Sequence, residues 1–143
     1  MEGNFWEGVW EMTDSVSVIS DWLQTSGTGL YTLCGKRITS PIASGWDPGS
    51  QKGVIFHLAA ETSAAAAPQQ TTQFVFKCYG ATSSYADART VYRALHDALH
   101  GKKNKTVNSG ILVEALLAVG GQNSADPKTG WPVVLATFGI RTE

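Results

Sequence analysis

Two histidines, His96 and His100, stand four residues apart in a segment with the apolar periodicity of a helix. At that spacing two imidazoles lie on the same helix face and can share one metal ion. The helix of a zinc protease also needs a glutamate directly after the first histidine, where this chain has Asp97, and no third ligand stands nearby in the sequence. We therefore predict a solvent-facing helix surface here and no metal site.

No residue pattern predicts a catalytic centre. His57 stands between apolar residues of a predicted strand, which is typical of a hydrogen-bonded core or interface histidine. The chain has neither the G-x-S-x-G spacing of a nucleophile elbow nor a glycine-rich phosphate loop followed by lysine. Cys34 and Cys78 lie far apart without a partner pattern, so we expect two reduced, partly buried thiols. No catalytic residue and no cofactor is predicted, and a small enzyme or nucleotide-binding module is only a remote alternative.

One basic cluster occurs, formed by Lys102, Lys103 and Lys105 in a polar segment that is predicted to be a loop. Because the net charge of the chain is −1, an attraction to nucleic acid would have to be local. The cluster is either a solubilising loop tip or a contact for phosphate or an acidic partner.

The length of 143 residues, with 43% hydrophobic and 16% charged residues, is typical of one globular domain with one core. Residues 1–4 lack the basic start and the apolar run of a secretory signal. The longest apolar run, residues 111–119, is too short to cross a bilayer, which takes about 20 residues. We expect a soluble protein without membrane contact, made in a cytoplasm, with a single domain over residues 1–143.

Apolar residues spaced by three and four predict a first helix over about residues 4–25. The stripe consists of Phe5, Val9, Met12, Val16, Ile19 and Leu23. Trp6 and Trp10 flank it on an adjacent face, so the apolar surface is wider than one domain contact requires. The helix is either an ordinary core helix or one that also packs on a neighbouring subunit, with Trp6 and Trp10 as the candidate subunit interface.

The body, about residues 33–143, is predicted to contain strands and a second helix. Tyr85, Ala88, Tyr92, Leu95 and Leu99 are the predicted buried stripe of that helix, which begins near Ser83 or Ser84 and ends at Gly101. Apolar patterns predict strands over residues 33–38, 52–60, 71–79 and 132–141. On periodicity alone, residues 111–119 are either a strand or a buried helix, and their length and the bounding glycines favour a strand. The expected fold class is α+β, with an antiparallel or mixed sheet of four to five strands packed against two amphipathic helices.

A low-complexity break between two strands, residues 61–70, holds no apolar residue larger than alanine. It therefore has little to anchor it against chain entropy, and we predict a mobile segment that orders on a partner. The candidate partner-binding residues of this segment are Glu61, Thr62, Ser63, Gln69 and Gln70.

A predicted strand with the sequence KRI at residues 36–38 is followed by a loop that contains proline, and four further segments then follow in a recognisable order. They are GVIFHL at residues 53–58, TQFVFKCYG at 72–80, a helix from YADAR at 85–89 to ALHG at 98–101, and a turn at 126–131 leading to FGIR at 138–141. From about Gly35 onward, or three quarters of the chain, this order resembles the phage tail terminator or tail completion family of siphophage, prophage and gene transfer agent tails. The longer, tryptophan-rich first helix departs from that pattern.

The resemblance implies a structural subunit that forms a ring, typically a hexamer, at the head-proximal end of the tail. Such a ring caps the finished tail tube, ends its polymerisation and offers a surface for head–tail joining. The implied partners are further copies of the chain, the tail tube protein and the head–tail connector protein, with DNA passing through the lumen. Assembly would take place in the bacterial cytoplasm, and the product would be part of the virion. A head-side neck protein, such as a stopper or adaptor, or a minor tail protein is the alternative.

Overall fold

The computed structural model describes residues 15–25, 28–39, 51–61, 72–126 and 130–143. Three helices occur in this part of the chain: α1 covers residues 15–23, α2 covers Gly29–Cys34 and α3 covers Tyr85–Leu99. The six strands are β1 (Ile38–Thr39), β2 (Gly53–Glu61), β3 (Thr72–Tyr79), β4 (Lys102–Val107), β5 (Gly110–Ala125) and β6 (Pro132–Thr142).

All six strands form one mixed sheet in the order β1-β2-β3-β6-β5-β4. β1 pairs with β2 in parallel, and every other pair is antiparallel. The predicted α+β class is confirmed, and of the two expected arrangements the sheet is the mixed one. The predicted counts were too low, because the described residues hold six strands and three helices where four to five strands and two helices were expected.

Strand β4 and helix α2 were missed, and β1 was predicted with the wrong bounds. β1 is only two residues long, and the residues before it, which were predicted to extend it over 33–38, belong to α2 and the turn after it. Thr28 accepts a hydrogen bond from the amide of Tyr31 through its side chain and so caps α2. β4 carries three lysines and an asparagine, and this composition predicted a loop.

The helices cover one face of the sheet, and the core lies between them. Phe56, Phe76 and Phe138 come from three adjacent strands and are fully buried. Phe56 stacks on Phe76 at 5.2 Å between ring centres, and Phe138 meets Phe76 edge to face at 5.5 Å. Packing of this kind adds to the apolar area that the rings bury.

Helix α3 begins at the predicted cap, where the Ser84 side chain accepts a hydrogen bond from the amide of Ala86. Its buried stripe differs from the predicted one. Ala88, Leu95 and Leu99 are buried as expected, but Val91 and Ala98 complete the stripe, and the exposed fraction of Tyr85 is 37%. The helix is therefore rotated so that its tyrosines lie at the side of the core.

Both edge strands of the sheet approach the same part of α1. The side-chain amide of Gln24, the residue after α1, donates a hydrogen bond to the carbonyl of Ile38 in β1 at 2.9 Å. The Lys105 ammonium in β4 lies 5.8 Å from the centre of the Trp22 ring. β1 and β4 stand at opposite ends of the strand order. Two contacts this close along the chain require that the sheet curls around the helices.

Helix α1 crosses one end of the curled sheet. The Ser15 and Thr142 hydroxyls are hydrogen-bonded at 2.7 Å where β6 ends, and Ser109, between β4 and β5, donates a hydrogen bond to Asp21 at 2.6 Å. Ile19 and Leu23 are fully buried beneath this crossing, as their periodicity predicted. The predicted part of the helix before residue 15, including Trp6 and Trp10, lies outside the described residues.

Candidate interaction surfaces

The predicted basic cluster lies on strand β4, and the structure divides it between the two faces of the sheet. The Lys103 ammonium lies 3.9 Å from the Glu114 carboxylate, which also pairs with Arg141 at 3.2 Å. Lys105 lies instead over the Trp22 ring of α1, on the face that the helices cover. The prediction of one loop cluster was therefore wrong in its geometry, although Lys103 is exposed.

A local backbone feature accompanies this division. Asn104, between the two lysines, has φ 55, a left-handed conformation that asparagine tolerates better than most residues. In the neighbouring strand β5, the pairing with β6 shifts by one residue between Leu112 and Glu114. An extra residue of this kind interrupts the alternation, so that the side chains beyond it lie on the face opposite to the one expected.

The sheet face that points away from the helices, here called the outer face, carries more apolar side chains than a solvated face needs. Ile55, Val75 and Leu135 are partly buried there, and the exposed fractions of Leu116 and Val119 are 44% and 45%. The pairs Leu116–Gly139 and Val119–Thr137 place the last two on this face, since Phe138 between Gly139 and Thr137 points into the core. Among the described residues, no helix covers the outer face.

Charged side chains of both signs lie on the outer face. Lys77 lies between the buried residues Phe76 and Cys78, so it points outward. Lys103 and Arg141 point outward as well, on either side of the Glu114 carboxylate. Asp126 adds a second carboxylate to this face, since it accepts a hydrogen bond from Tyr79, which follows the inward-facing Cys78.

Strand β5 runs beyond its partner β4, and side chains from α3 and the residue after it contact the backbone of the overhang. β4 pairs with β5 only up to Ala115. Beyond that point the Tyr85 hydroxyl donates a hydrogen bond to the carbonyl of Ser124 at 2.6 Å, and Arg89 donates one to the carbonyl of Gly121 at 3.4 Å. Unpaired strand edges otherwise invite pairing with other chains, so these contacts protect the edge.

His100 belongs to the same set of contacts. Its Nδ1 accepts a hydrogen bond from the amide of Leu117 at 3.1 Å, and its ring stacks on that of His96 at 4.8 Å. With Nδ1 occupied as an acceptor, the neutral ring carries its proton on Nε2. Among the described residues, no group of three or more His, Cys, Asp or Glu could hold a metal ion.

The other residues that the sequence analysis considered for a catalytic role are His57, Cys34 and Cys78. His57 is exposed on β2, and its Nδ1 lies 3.2 Å from the carbonyl of Leu58. Burial raises the pKa of Cys34 from 9.0 to about 12, against smaller opposing effects of Arg37 and Lys52. Burial also raises the pKa of Cys78 far above its ordinary value, and Cys34 adds to this. Both are free thiols that stay protonated at neutral pH.

The Tyr79 hydroxyl is, after the two thiols, the third group of the described residues with a shifted pKa. Burial, together with the nearby negative charge of Asp126 and the hydrogen bond to it, raises the pKa of the hydroxyl to about 12. The hydroxyl also donates a hydrogen bond to the Asp126 carboxylate at 3.3 Å. This contact ties the end of β3 to the residue after β5, next to the small apolar cluster of Tyr79 and Val133.

Not all the predicted site residues can be placed. Thr62, Ser63, Gln69 and Gln70 lie outside the described residues, and Glu61 is the last residue of β2. The sequence analysis missed the outer face and the contacts of Tyr85, Arg89 and His100 with β5. The alternation of Val75 and Leu135 with core residues was a signal for the outer face, whereas the β5 contacts left no pattern in the sequence.

Comparison with known proteins finds similarity at the level of the fold. No protein family profile matches the chain, and no curated protein does. Its fold is similar to that of a solved chain from the virion of a native gene transfer agent particle, with a TM-score of 0.67 and 19% sequence identity. The match covers 89% of this chain and 92% of that chain. Identity this low shows a shared fold over nearly the whole of both chains. In the described part of the chain, no helix is long and apolar enough to span a membrane.

Proposed function

We propose that this chain is a structural virion protein of a phage or gene transfer agent tail, and that its copies form a ring which caps the tail tube. The single observation that carries the proposal is the shared fold with a chain of a gene transfer agent virion, which extends over 92% of that chain. The resemblance of the sequence to tail terminators supports the finer assignment. The ring ends tube polymerisation at the head-proximal end of the tail and offers a surface to the head–tail connector.

The surfaces of the described residues fit an assembling subunit. A closed ring is built from head-to-tail contacts, so each copy needs two different patches. The outer face, with Leu116 and Val119 at 44% and 45% exposure, is one apolar patch of suitable character. The partners in this proposal are further copies of the chain, arranged as a hexamer, together with the tail tube protein and the connector protein.

The decisive experiment measures the native mass of the chain and finds the structure to which it binds. The native mass of the purified chain is measured in solution, and the chain is then mixed separately with tail tubes and with tailless heads. We expect a ring of about six copies that electron microscopy finds at one end of the tubes, and tubes of irregular length when the chain is omitted from assembly. Rings found only on heads would identify a neck protein instead. A chain that binds neither structure would overturn the virion assignment.

A further inference from the structure

We propose that His100 acts as a proton-sensitive latch on strand β5. A neutral imidazole holds the overhang of β5 against the end of α3, and a protonated imidazole releases it. The latch rests on the hydrogen bond between His100 and Leu117, on the stacking of His100 on His96, and on the position of both histidines near the end of a helix. It does not depend on the place proposed for this chain in a tail.

The hydrogen bond between His100 and Leu117 exists in only one protonation state of the imidazole. The backbone amide of Leu117 donates to the Nδ1 of His100 at 3.1 Å, so Nδ1 carries a lone pair and no proton. A second proton can enter only at Nδ1, because Nε2 of the neutral imidazole already carries one. Proton uptake therefore converts the acceptor into a donor, which cannot bind an amide that is itself a donor.

A second histidine makes the latched position less favourable when both imidazoles are charged. The imidazoles of His96 and His100 are stacked, with 4.8 Å between their centres and 19° between their planes. Two positive charges at this distance repel each other. This repulsion acts in the same state in which the hydrogen bond is lost, and it is relieved when the His100 side chain turns away from the strand.

The end of helix α3 favours the protonated imidazole. His100 is the C-cap of α3, and its backbone amide donates a hydrogen bond to the carbonyl of His96. Carbonyl groups at the C-terminus of a helix attract positive charge. The neutral imidazole is therefore held by β5 and the charged one by the helix end, so each protonation state has its own favoured position.

In the described part of the chain, the other ionisable groups near the two histidines keep their charges over the same range of pH. On α3, the Asp97 carboxylate lies 3.7 Å from His96, and the centre of the Tyr92 ring lies 6.2 Å from that of His96. On β4, Lys102 is the first residue. Residues 115–121 of β5 carry no ionisable side chain. Aspartate, tyrosine and lysine do not ordinarily titrate between about pH 5 and pH 8, where histidine does.

Release of the latch exposes part of a strand edge. The far part of the overhang stays attached to α3, because the hydrogen bonds to the carbonyls of Ser124 and Gly121 involve no histidine. The freed part lies at Leu117, beyond the pairing of β5 with β4. An unpaired edge can add a strand from another chain, so the charge on His100 decides whether this edge is available.

Hydrogen exchange of the Leu117 amide, measured by NMR on the full chain, tests the latch. Rates at about pH 5 and pH 7.5, on either side of histidine titration, are divided by those of an unstructured chain at the same pH. We expect the protection of this amide to fall by about threefold to tenfold on acidification, as the loss of one hydrogen bond allows. Unchanged protection of Leu117 would overturn the proposal. An equal fall at the Phe76 amide, in the interior strand β3, would also overturn it, since acid would then act on the whole fold.

Two variants assign the effect to His100. His100→Asn keeps an acceptor for the Leu117 amide but does not titrate, so the protection of Leu117 should no longer depend on pH. His96→Ala is the matched control, because it removes a histidine from the same helix face and leaves the hydrogen bond in place. Its pH dependence should remain, although reduced by the loss of charge repulsion. A dependence that persists in His100→Asn, or disappears in His96→Ala, contradicts the latch.

The nitrogen chemical shifts of the His100 imidazole give a check that needs no substitution. At neutral pH the proton should be on Nε2, with Nδ1 unprotonated and accepting from Leu117. A proton on Nδ1 under these conditions would rule out the latch, whatever the variants show.

Discussion

The amide of Leu117 donates a hydrogen bond to the Nδ1 of His100 at 3.1 Å, across 17 residues of sequence. Two similar contacts follow along the same strand, from Tyr85 to the carbonyl of Ser124 and from Arg89 to that of Gly121. Side chains of the helical region therefore replace hydrogen bonds that a further strand would make to the overhang of β5. In this way a sheet edge is protected while the outer face beside it remains open.

Replacing His100 with alanine should lower the free energy of unfolding by about 0.5–1 kcal/mol, because the Leu117 amide loses its acceptor although water can partly replace it. His100→Asn should recover most of the loss, since its side-chain oxygen can reach a similar position. His96→Ala is the control, and we expect a change below about 0.5 kcal/mol because, in the described part of the chain, the His96 side chain accepts no hydrogen bond from a backbone amide. Urea unfolding measures all three, and equal losses for both alanine variants would contradict the role given to His100.

Gly121 and Gly120 should respond oppositely to substitution by alanine. A Cβ at Gly121 would come within 2.9 Å of the Tyr92 ring of α3, whereas a Cβ at Gly120 would meet nothing within 4 Å. We expect Gly121→Ala to cost about 1–3 kcal/mol through overpacking, and Gly120→Ala to be neutral or slightly stabilising. Thermal unfolding of the two variants checks this. A double variant with Tyr92→Leu should regain part of the loss, and its failure to do so would show that the strain arises elsewhere.

How far the sequence could predict the fold depends on the element. β2, β3 and β6 were predicted because apolar residues recur at every second position along them, as in the run from Val134 to Ile140. β4 could not be, since pairing with β5 gives it a strand conformation that its lysines do not favour. The contact between Tyr85 and Ser124 joins residues 39 apart, and it arises only when α3 packs against the sheet. Local sequence patterns therefore cannot predict such contacts.

Alkaline pH should destabilise the fold through its buried thiols and Tyr79. The pKa of Cys34 is about 12 in the folded chain, against an ordinary 9.0, so between these values the unfolded state has lost a proton that the folded state keeps. Stability is therefore fully present below pH 9 and falls as the pH rises toward 12. Tyr79, with a pKa raised from 10.0 to about 12, adds to the same trend. Urea unfolding at several pH values should show this decline, and Cys34→Ala should make the decline shallower.

The same burial makes a second measurement possible. At pH 8.5 the thiols of the native chain should react with iodoacetamide on the order of a hundredfold more slowly than those of the urea-unfolded chain, because little thiolate is present and access is blocked. Rapid alkylation of either cysteine in the native chain would show that the core opens readily near α2 and β3.

The last prediction concerns Lys103 and Lys105 of β4, which have different neighbours. Lys105 lies 5.8 Å from the Trp22 ring centre, so Lys105→Gln should lower the free energy of unfolding by about 0.5–1 kcal/mol through the lost cation–π contact.

Lys103 is 65% exposed beside Glu114, and such a surface pair contributes little to stability. In a ring, however, Lys103 would recur once in every copy, and repeated positive charge favours an acidic rim or DNA. We therefore expect Lys103→Gln to leave stability within about 0.5 kcal/mol and to reduce the salt dependence of head–tail joining, since fewer ion contacts are then screened or released. Joining is measured by mixing heads and tails at increasing salt concentration, with Lys105→Gln as the matched control that removes an equal charge from the helix-covered face. If Lys103→Gln tails join heads as the original chain does at every salt concentration, Lys103 has no part in joining.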